Sequence, residues 1–501
     1  MTAVRKTLSE INQRIRNGDA VVVTADKMPE IVEERGAVKA AEDVDVVTTG
    51  TFGAMCSSGV WMNFGHSDPP IKMRNVFLND VMAYSGGAAV DAFLGATQVS
   101  ETDEEYGGGH VIEDLVRGRE VSLKADSHGT DCYPRTRVEI NIGLPDLNQA
   151  VMLNPRNSYQ RYNAATNSRD ETIYTYMGAL LPQMRNVTFS GSGVLNPLCN
   201  DPQYRTIGLG TRIFLGGGPG YVIGSGTQHS PQSGFGTLMV KGDLKQMSQD
   251  YLRGACFQHY GTTLYIGVGV PIPVLDEGIA RSTAVRDRDI PVSVIDYGVP
   301  RRDRPKVADT DYAELRSGHV KIDGNEVPVS PLSSFKIAKQ ISATLAGWVE
   351  SGEFLLSEPV ETLPADTTFR PMKAETSVPS VEEVAAGKFV TCPPETSIQD
   401  AARTLTEEGV DTLLVRDEDG RLQGIITSWD IAKAISTGAK EAQDIMTRKV
   451  LVAHMGEPID GAARKLEKHG ISALPIVDRD RKILGIVSEE DIARFVGRRR
   501  W

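Results

Sequence analysis

The chain has 501 residues, 40% of them hydrophobic and 24% charged, and a formal net charge of -12. That length exceeds one ordinary core and predicts a multidomain protein, while the composition excludes disordered and fibrous classes. An acidic balance with no basic block longer than Arg498-Arg499-Arg500 argues against a nucleic-acid surface.

A polar N-terminus and the lack of any apolar run near the roughly 20 residues of a membrane span predict a cytoplasmic protein that does not enter a membrane. In chain order, helical spacing over residues 6–17 and 28–39 alternates with short apolar runs at 44–48 and 138–142. This predicts an α/β fold, with a large mixed α/β domain over residues 1–356 whose topology the pattern leaves open.

Cys56 follows the run at 44–48 in the stretch Gly53-Ala54-Met55-Cys56-Ser57-Ser58-Gly59, where a strand would present it on a loop whose backbone N–H groups suit an anion. Further along come Tyr106-Gly107-Gly108-Gly109-His110 and then Cys132, four positions after His128 and three before Arg135. Cations beside a thiol raise its thiolate fraction, which makes Cys132 and Cys56 candidate nucleophiles and His128 a candidate base or proton donor. Cys199, Cys256 and Cys392 have no such setting, and five well-separated cysteines without a C-x-x-C motif exclude a disulfide framework. A zinc set of His128, Cys132, Asp126 and His66 or Asp68 lacks a C-x-x-C or H-E-x-x-H anchor, so no metal is expected. The glycines at 216, 217, 218, 220, 224 and 226 fit neither the dinucleotide nor the P-loop spacing and predict tight turns instead.

Residues 357–386 are rich in Pro, Thr, Ser and Glu without periodicity and read as a linker. Beyond it, residues 398–432 match residues 459–493 without a gap, with 14 identities in 35 positions. Each copy predicts helix, strand, strand, helix, and each closes on Gly-Ile-(Ile/Val)-(Thr/Ser)-x-x-Asp-Ile. The second strand delivers Thr427 or Ser488 to a helix N-terminus suited to an anion. Asp430 or Asp491, three residues later, is placed to accept ribose hydroxyls, although the same residues also serve as plain helix caps. This twofold motif resembles tandem CBS domains, here 387–440 and 441–501. The resemblance implies adenosyl ligands, with S-adenosylmethionine, AMP and ATP as candidates, and association into homodimers or higher oligomers. Glu489 and Glu490 disfavour a polyphosphate in the second cleft, and Trp429 flanks the first.

The segments around Cys56, Gly107–Gly109 and Cys132, together with Phe214-Leu215-Gly216-Gly217-Gly218-Pro219-Gly220, resemble the homocysteine-biosynthesis family, in which a CBS pair often follows. That resemblance implies a sulfurtransferase making L-homocysteine from L-aspartate semialdehyde and sulfide, with Cys56 and Cys132 matching the family's functional cysteines and Cys132 carrying a persulfide. It also implies a small ferredoxin-like iron–sulfur partner. The chain itself shows no cluster or flavin motif, so no tightly bound cofactor is expected and electrons come from outside. A substrate with a carboxylate and an ammonium calls for Arg and amide partners, for which Arg135, Arg156 and Asn157 are candidates. Two alternatives stand beside this: an IMP-dehydrogenase-like oxidoreductase, disfavoured because there the CBS pair interrupts a barrel rather than following it, and a non-catalytic metabolite sensor.

Overall fold

The computed structural model describes residues 5–373, 379–385, 389–478 and 480–498. Backbone packing divides the chain into two units, residues 1–370 and 371–501.

The first unit is mixed α/β and richer in strands than the sequence pattern suggests. Its central sheet runs Leu252–Phe257, Gly261–Gly269, Arg212–Leu215, Gly218–Ser225, Leu238–Asp243, Gln149–Asn157, Gly59–Asn63, Asp91–Gly95, with Thr51–Ala54 paired on Gly261–Gly269. A six-stranded sheet orders Lys306–Asp311, Pro291–Asp296, Ala164–Thr166, Val187–Phe189, Asn325–Pro331 and His319–Ile322. A smaller sheet carries the hairpin Val121–Asp126 and Arg137–Ile142. Apolar side chains from the central and smaller sheets, among them Val60, Met62, Leu264, Ile266 and Leu123, meet Val111, Ile112 and Leu115 of the helix Gly108–Val116 in one core. Among the described residues no helix is long and apolar enough to cross a membrane.

The predicted first helix forms as Leu8–Asn17, opened by a capping box in which Thr7 Oγ1 accepts from Glu10 N at 3.2 Å and Glu10 returns a bond to Thr7 N at 2.7 Å. The second covers Met28–Asp43 but breaks at Gly36, whose φ of 77° no helix accommodates. Gly216 and Gly217, at φ 59° and 99°, make the tight turn between Arg212–Leu215 and Gly218–Ser225. The glycines before His110 answer a different demand. The helix they open lies so close to the central sheet that a β-carbon at Gly108 would overlap the Gly95 carbonyl oxygen, and one at Gly109 that of Thr263.

Of the segment that reads as linker, residues 357–367 are bonded to the first unit. Ser357 Oγ accepts from Arg212 N at 2.7 Å, Glu361–Thr362 pairs with Gly208–Leu209, and Thr367 Oγ1 donates to His229 O at 3.4 Å. The buried His229 ring accepts from Thr237 N at Nδ1, so its other nitrogen donates to Pro364 O at 3.0 Å.

In the second unit the repeat forms as its pattern indicates: Ile398–Glu408, Thr412–Arg416, Leu422–Thr427 and Ser428–Thr437, then Ile459–His469, Ala473–Val477, Ile483–Ser488 and Glu489–Arg498. Leu414, Leu422 and Val477 bury a seam between the two copies. Val381, on the short helix Val381–Val384 ahead of the first copy, packs into the core of the second with Ala453, Leu466 and Leu474.

Replacing Gly109 with Ala should force the helix Gly108–Val116 off the sheet and destabilise the first unit by about 1–3 kcal/mol, read as a lowered midpoint of urea unfolding followed by tryptophan fluorescence.

Candidate functional site

Cys56 sits on a turn that the fold anchors from three sides. The strand Thr51–Ala54 ends where Met55 N donates to Leu264 O at 2.8 Å, and Ser58 N closes the turn on Met55 O at 2.9 Å. Thr263 Oγ1 donates to Cys56 Sγ at 3.3 Å. From the strand Gln149–Asn157, the fully buried Asn154 donates through Nδ2 to Ser58 Oγ at 2.8 Å. Its Oδ1 accepts from Ser57 Oγ at 3.3 Å and Arg156 N at 3.0 Å, and Ser57 Oγ lies equally close to Arg156 O.

The end of that strand therefore lies beside the thiol and brings Arg156 and Asn157 with it. The Arg156 guanidinium donates to Thr227 Oγ1 at 3.0 Å and to Gln228 Oε1. Asn157 is fully buried, and Ser158 N donates to its Oδ1 at 2.6 Å, but among the described residues Asn157 Nδ2 and Ser158 Oγ have no partner. Two unpaired buried polar atoms are costly, and such atoms cluster where a ligand or ordered water completes the bonding.

Tyrosines surround this place. Burial pushes the Tyr159 phenol up to about 12, with Arg156 opposing the rise and Cys56 adding to it. Burial likewise lifts Tyr260 to about 12 and raises Tyr265, and Cys56 adds to both. All three phenols therefore keep their protons at neutral pH and act as donors within electrostatic reach of the thiol. Tyr162, Tyr176 and Phe235 extend the aromatic wall, with ring centroids 5.0 Å from Tyr159 to Tyr162 and 6.1 Å from Tyr176 to Tyr260.

Cys132 has the opposite setting. It is exposed on the loop between Asp126 and Arg137, where Thr130 and Tyr133 exchange backbone bonds and the Tyr133 ring stacks on His66 at 5.7 Å. His128 Nε2 faces Arg74 Nη1 at 3.0 Å. A guanidinium only donates, so Nε2 is the acceptor and the proton of the neutral ring sits on Nδ1. Arg135 turns to Arg137 O at 3.0 Å. Cys56 lies on the turn that Asn154 ties to Arg156 and Asn157, whereas Cys132 lies on the loop that also carries His128 and Arg135. Among the described residues no three His, Cys, Asp or Glu side chains converge as a metal set, and Asp126 is held by Asn75 at 2.9 Å. Burial raises the other three thiols, Cys199 to about 12.

Sequence reasoning missed Asn154, Thr263 and the tyrosines. The Tyr-rich stretch holding Tyr159, Tyr162, Tyr174 and Tyr176 was the one visible signal; the rest converge from separations such as 207 residues between Cys56 and Thr263.

In the second unit both repeats place the expected residues alike. Thr427 Oγ1 accepts from Asp430 N at 3.3 Å, and Asp430 Oδ2 accepts from Thr427 N and Oγ1 at 2.8 and 2.7 Å. Ser488 and Asp491 repeat this at 3.1, 3.0 and 2.7 Å. These are capping boxes that engage one carboxylate oxygen and leave the other available.

Thr263→Val removes the one hydrogen bond to the Cys56 sulfur among the described residues. Alkylation of Cys56 by iodoacetamide, followed by peptide mass spectrometry, should then slow by roughly five-fold, the equivalent of about 1 kcal/mol, while the rate at Cys132 stays constant.

Comparison with known proteins adds the following. The profile of the family described as homocysteine biosynthesis enzyme, sulfur-incorporation, matches residues 20–356, and that of the CBS domain matches residues 381–437 and 442–498. The chain is similar to the L-aspartate semialdehyde sulfurtransferase of Methanosarcina acetivorans, 53% identical over 99% of this chain and 100% of that one. It is 54% identical to the protein of that name in Methanocaldococcus jannaschii, over 99% of both. A solved CBS domain pair in complex with 5′-methylthioadenosine and S-adenosyl-L-methionine is 44% identical, covers 23% of this chain and 94% of that pair, and has a TM-score of 0.23.

Proposed function

The chain belongs to the homocysteine biosynthesis, sulfur-incorporation family, and from that premise we propose that it is an L-aspartate semialdehyde sulfurtransferase. The observation that carries this reading is the similarity along the whole chain to two relatives of that name. The net reaction exchanges the aldehyde oxygen for sulfur and reduces the product: the aldehyde, hydrogen sulfide, two electrons and two protons give the thiol of L-homocysteine and water.

The two thiols divide the work. Exposed Cys132 takes sulfide as a persulfide, a step that releases two electrons to the external carrier. His128, with Arg74 on Nε2, acts there as a donor through Nδ1. A movement of the exposed Cys132 loop brings the persulfide to Cys56, the terminal sulfur passes to the Cys56 thiolate and Cys132 returns to its thiolate. The Cys56 persulfide anion adds to the aldehyde carbon, and a phenol beside Cys56 protonates the oxygen. Two electrons cleave the S–S bond and restore the Cys56 thiolate. Loss of water leaves a thioaldehyde, which two further electrons and two protons reduce to the thiol. A small ferredoxin-like iron–sulfur protein exchanges these electrons. Arg156 and Asn157 line the substrate site, and Arg135 flanks Cys132.

The CBS pair reads an adenosyl ligand. Asp430 and Asp491 each offer a ribose the carboxylate oxygen that the capping box leaves available. S-adenosylmethionine is favoured over AMP and ATP because it contains the homocysteine skeleton and so reports on the product of the first unit. Copies of the chain associate through these pairs.

With sulfide, L-aspartate semialdehyde and reduced ferredoxin, Cys132→Ala and Cys56→Ala should each lower turnover at least about 100-fold. Turnover that survives both changes rules out the persulfide route. For the regulatory pair, calorimetry on the full chain should show S-adenosylmethionine binding that weakens about 10-fold in Asp430→Asn or Asp491→Asn; no binding of S-adenosylmethionine, AMP or ATP marks the module as structural.

A further inference from the structure

The first unit has an open pocket of about 390 Å³ whose wall includes Arg161, Asn163, Gln228, Ser230, Phe235 and Phe369. Two chains of contacts lead from it toward the Cys56 turn. Ser57 reaches Arg156 O at 3.3 Å, and the Arg156 guanidinium reaches Gln228, which lines the cavity. Phe235 lies 5.3 Å, centroid to centroid, from Tyr159, which follows Arg156 and Asn157 in the chain.

The wall has one cation and is otherwise neutral. Arg161 Nη2 donates to Ser233 O at 2.8 Å, which fixes the guanidinium, while among the described residues its Nε and Nη1 have no hydrogen-bond partner. A fixed guanidinium with free donors suits a carboxylate. Asn163 has no side-chain partner among the described residues and offers its carboxamide oxygen as an acceptor, whereas the Gln228 oxygen already accepts from Arg156 and leaves its amide nitrogen as a donor. The volume lies within the range of small-molecule pockets. Phe369 comes from the segment that leaves the first unit, beyond the span matched to the catalytic family.

We propose that this pocket binds the α-amino-acid end of the substrate, Arg161 pairing with its carboxylate, the Gln228 amide nitrogen donating to the same carboxylate and the Asn163 carboxamide oxygen accepting from its ammonium, so that the aldehyde end points past Arg156 toward the Cys56 turn. This rests on the sulfurtransferase reading. It makes Arg161, a residue that no motif marks, the group that selects an amino-acid aldehyde over a simple aldehyde.

The test compares wild type, Arg161→Ala and Arg161→Lys on L-aspartate semialdehyde and on 3-aminopropanal, which is the same molecule without the carboxylate. Arg161→Ala should raise KM for L-aspartate semialdehyde about 10- to 100-fold with little change in kcat, and Arg161→Lys should recover part of the loss. On 3-aminopropanal, wild type and Arg161→Ala should be equal. Thermal unfolding verifies that the variants are folded, and the Lys variant serves if the Ala variant is not. An unchanged KM in a folded variant, or an equal loss on both substrates, overturns the assignment of the cavity. No turnover of L-aspartate semialdehyde by wild type instead overturns the sulfurtransferase reading on which it depends.

Discussion

The buried carboxamide of Asn154 holds the catalytic geometry together. Its two ends bond three groups, Ser57, Ser58 and the Arg156 amide, and so tie the turn that carries Cys56 to the strand that delivers Arg156, Asn157 and then Tyr159. In a water-free setting each of those bonds is electrostatically stronger than at the surface, and each lost one leaves a buried polar atom unpaired. The same constraint requires the glycines at 108 and 109: only without a β-carbon can the helix they open lie against the strands that present Thr263 to the sulfur.

Around this clamp the environments of the two thiols differ in kind. Cys56 is half-buried, with the Tyr159 and Tyr260 phenols near it keeping their protons as potential donors. Cys132 is exposed on a loop, open to large or diffusing partners.

The segment between the units is also more than a tether. Bonds from Ser357, Pro364 and Thr367 lay it along the first unit, and Phe369 forms part of a cavity wall before the chain enters the second unit. In that second unit the helix Val381–Val384 belongs to the core of the later repeat, so the two copies are folded as one body sharing a seam.

What the sequence by itself determined is what local physics encodes. The repeat, its helix and strand order, the capping residues Thr427 and Ser488 and the helix Leu8–Asn17 all follow from spacing over a few residues, where periodicity and caps act. The family likeness also singled out Cys56 and Cys132. The short strands of the first unit were largely hidden, because three- to six-residue runs broken by glycine carry little periodic signal. Only the tertiary structure decided that Asn154 bonds the Cys56 turn to the strand end carrying Arg156 and that Thr263 reaches the Cys56 sulfur. Those bonds depend on sheet register and on close backbone approach across up to 207 residues, which no local pattern encodes.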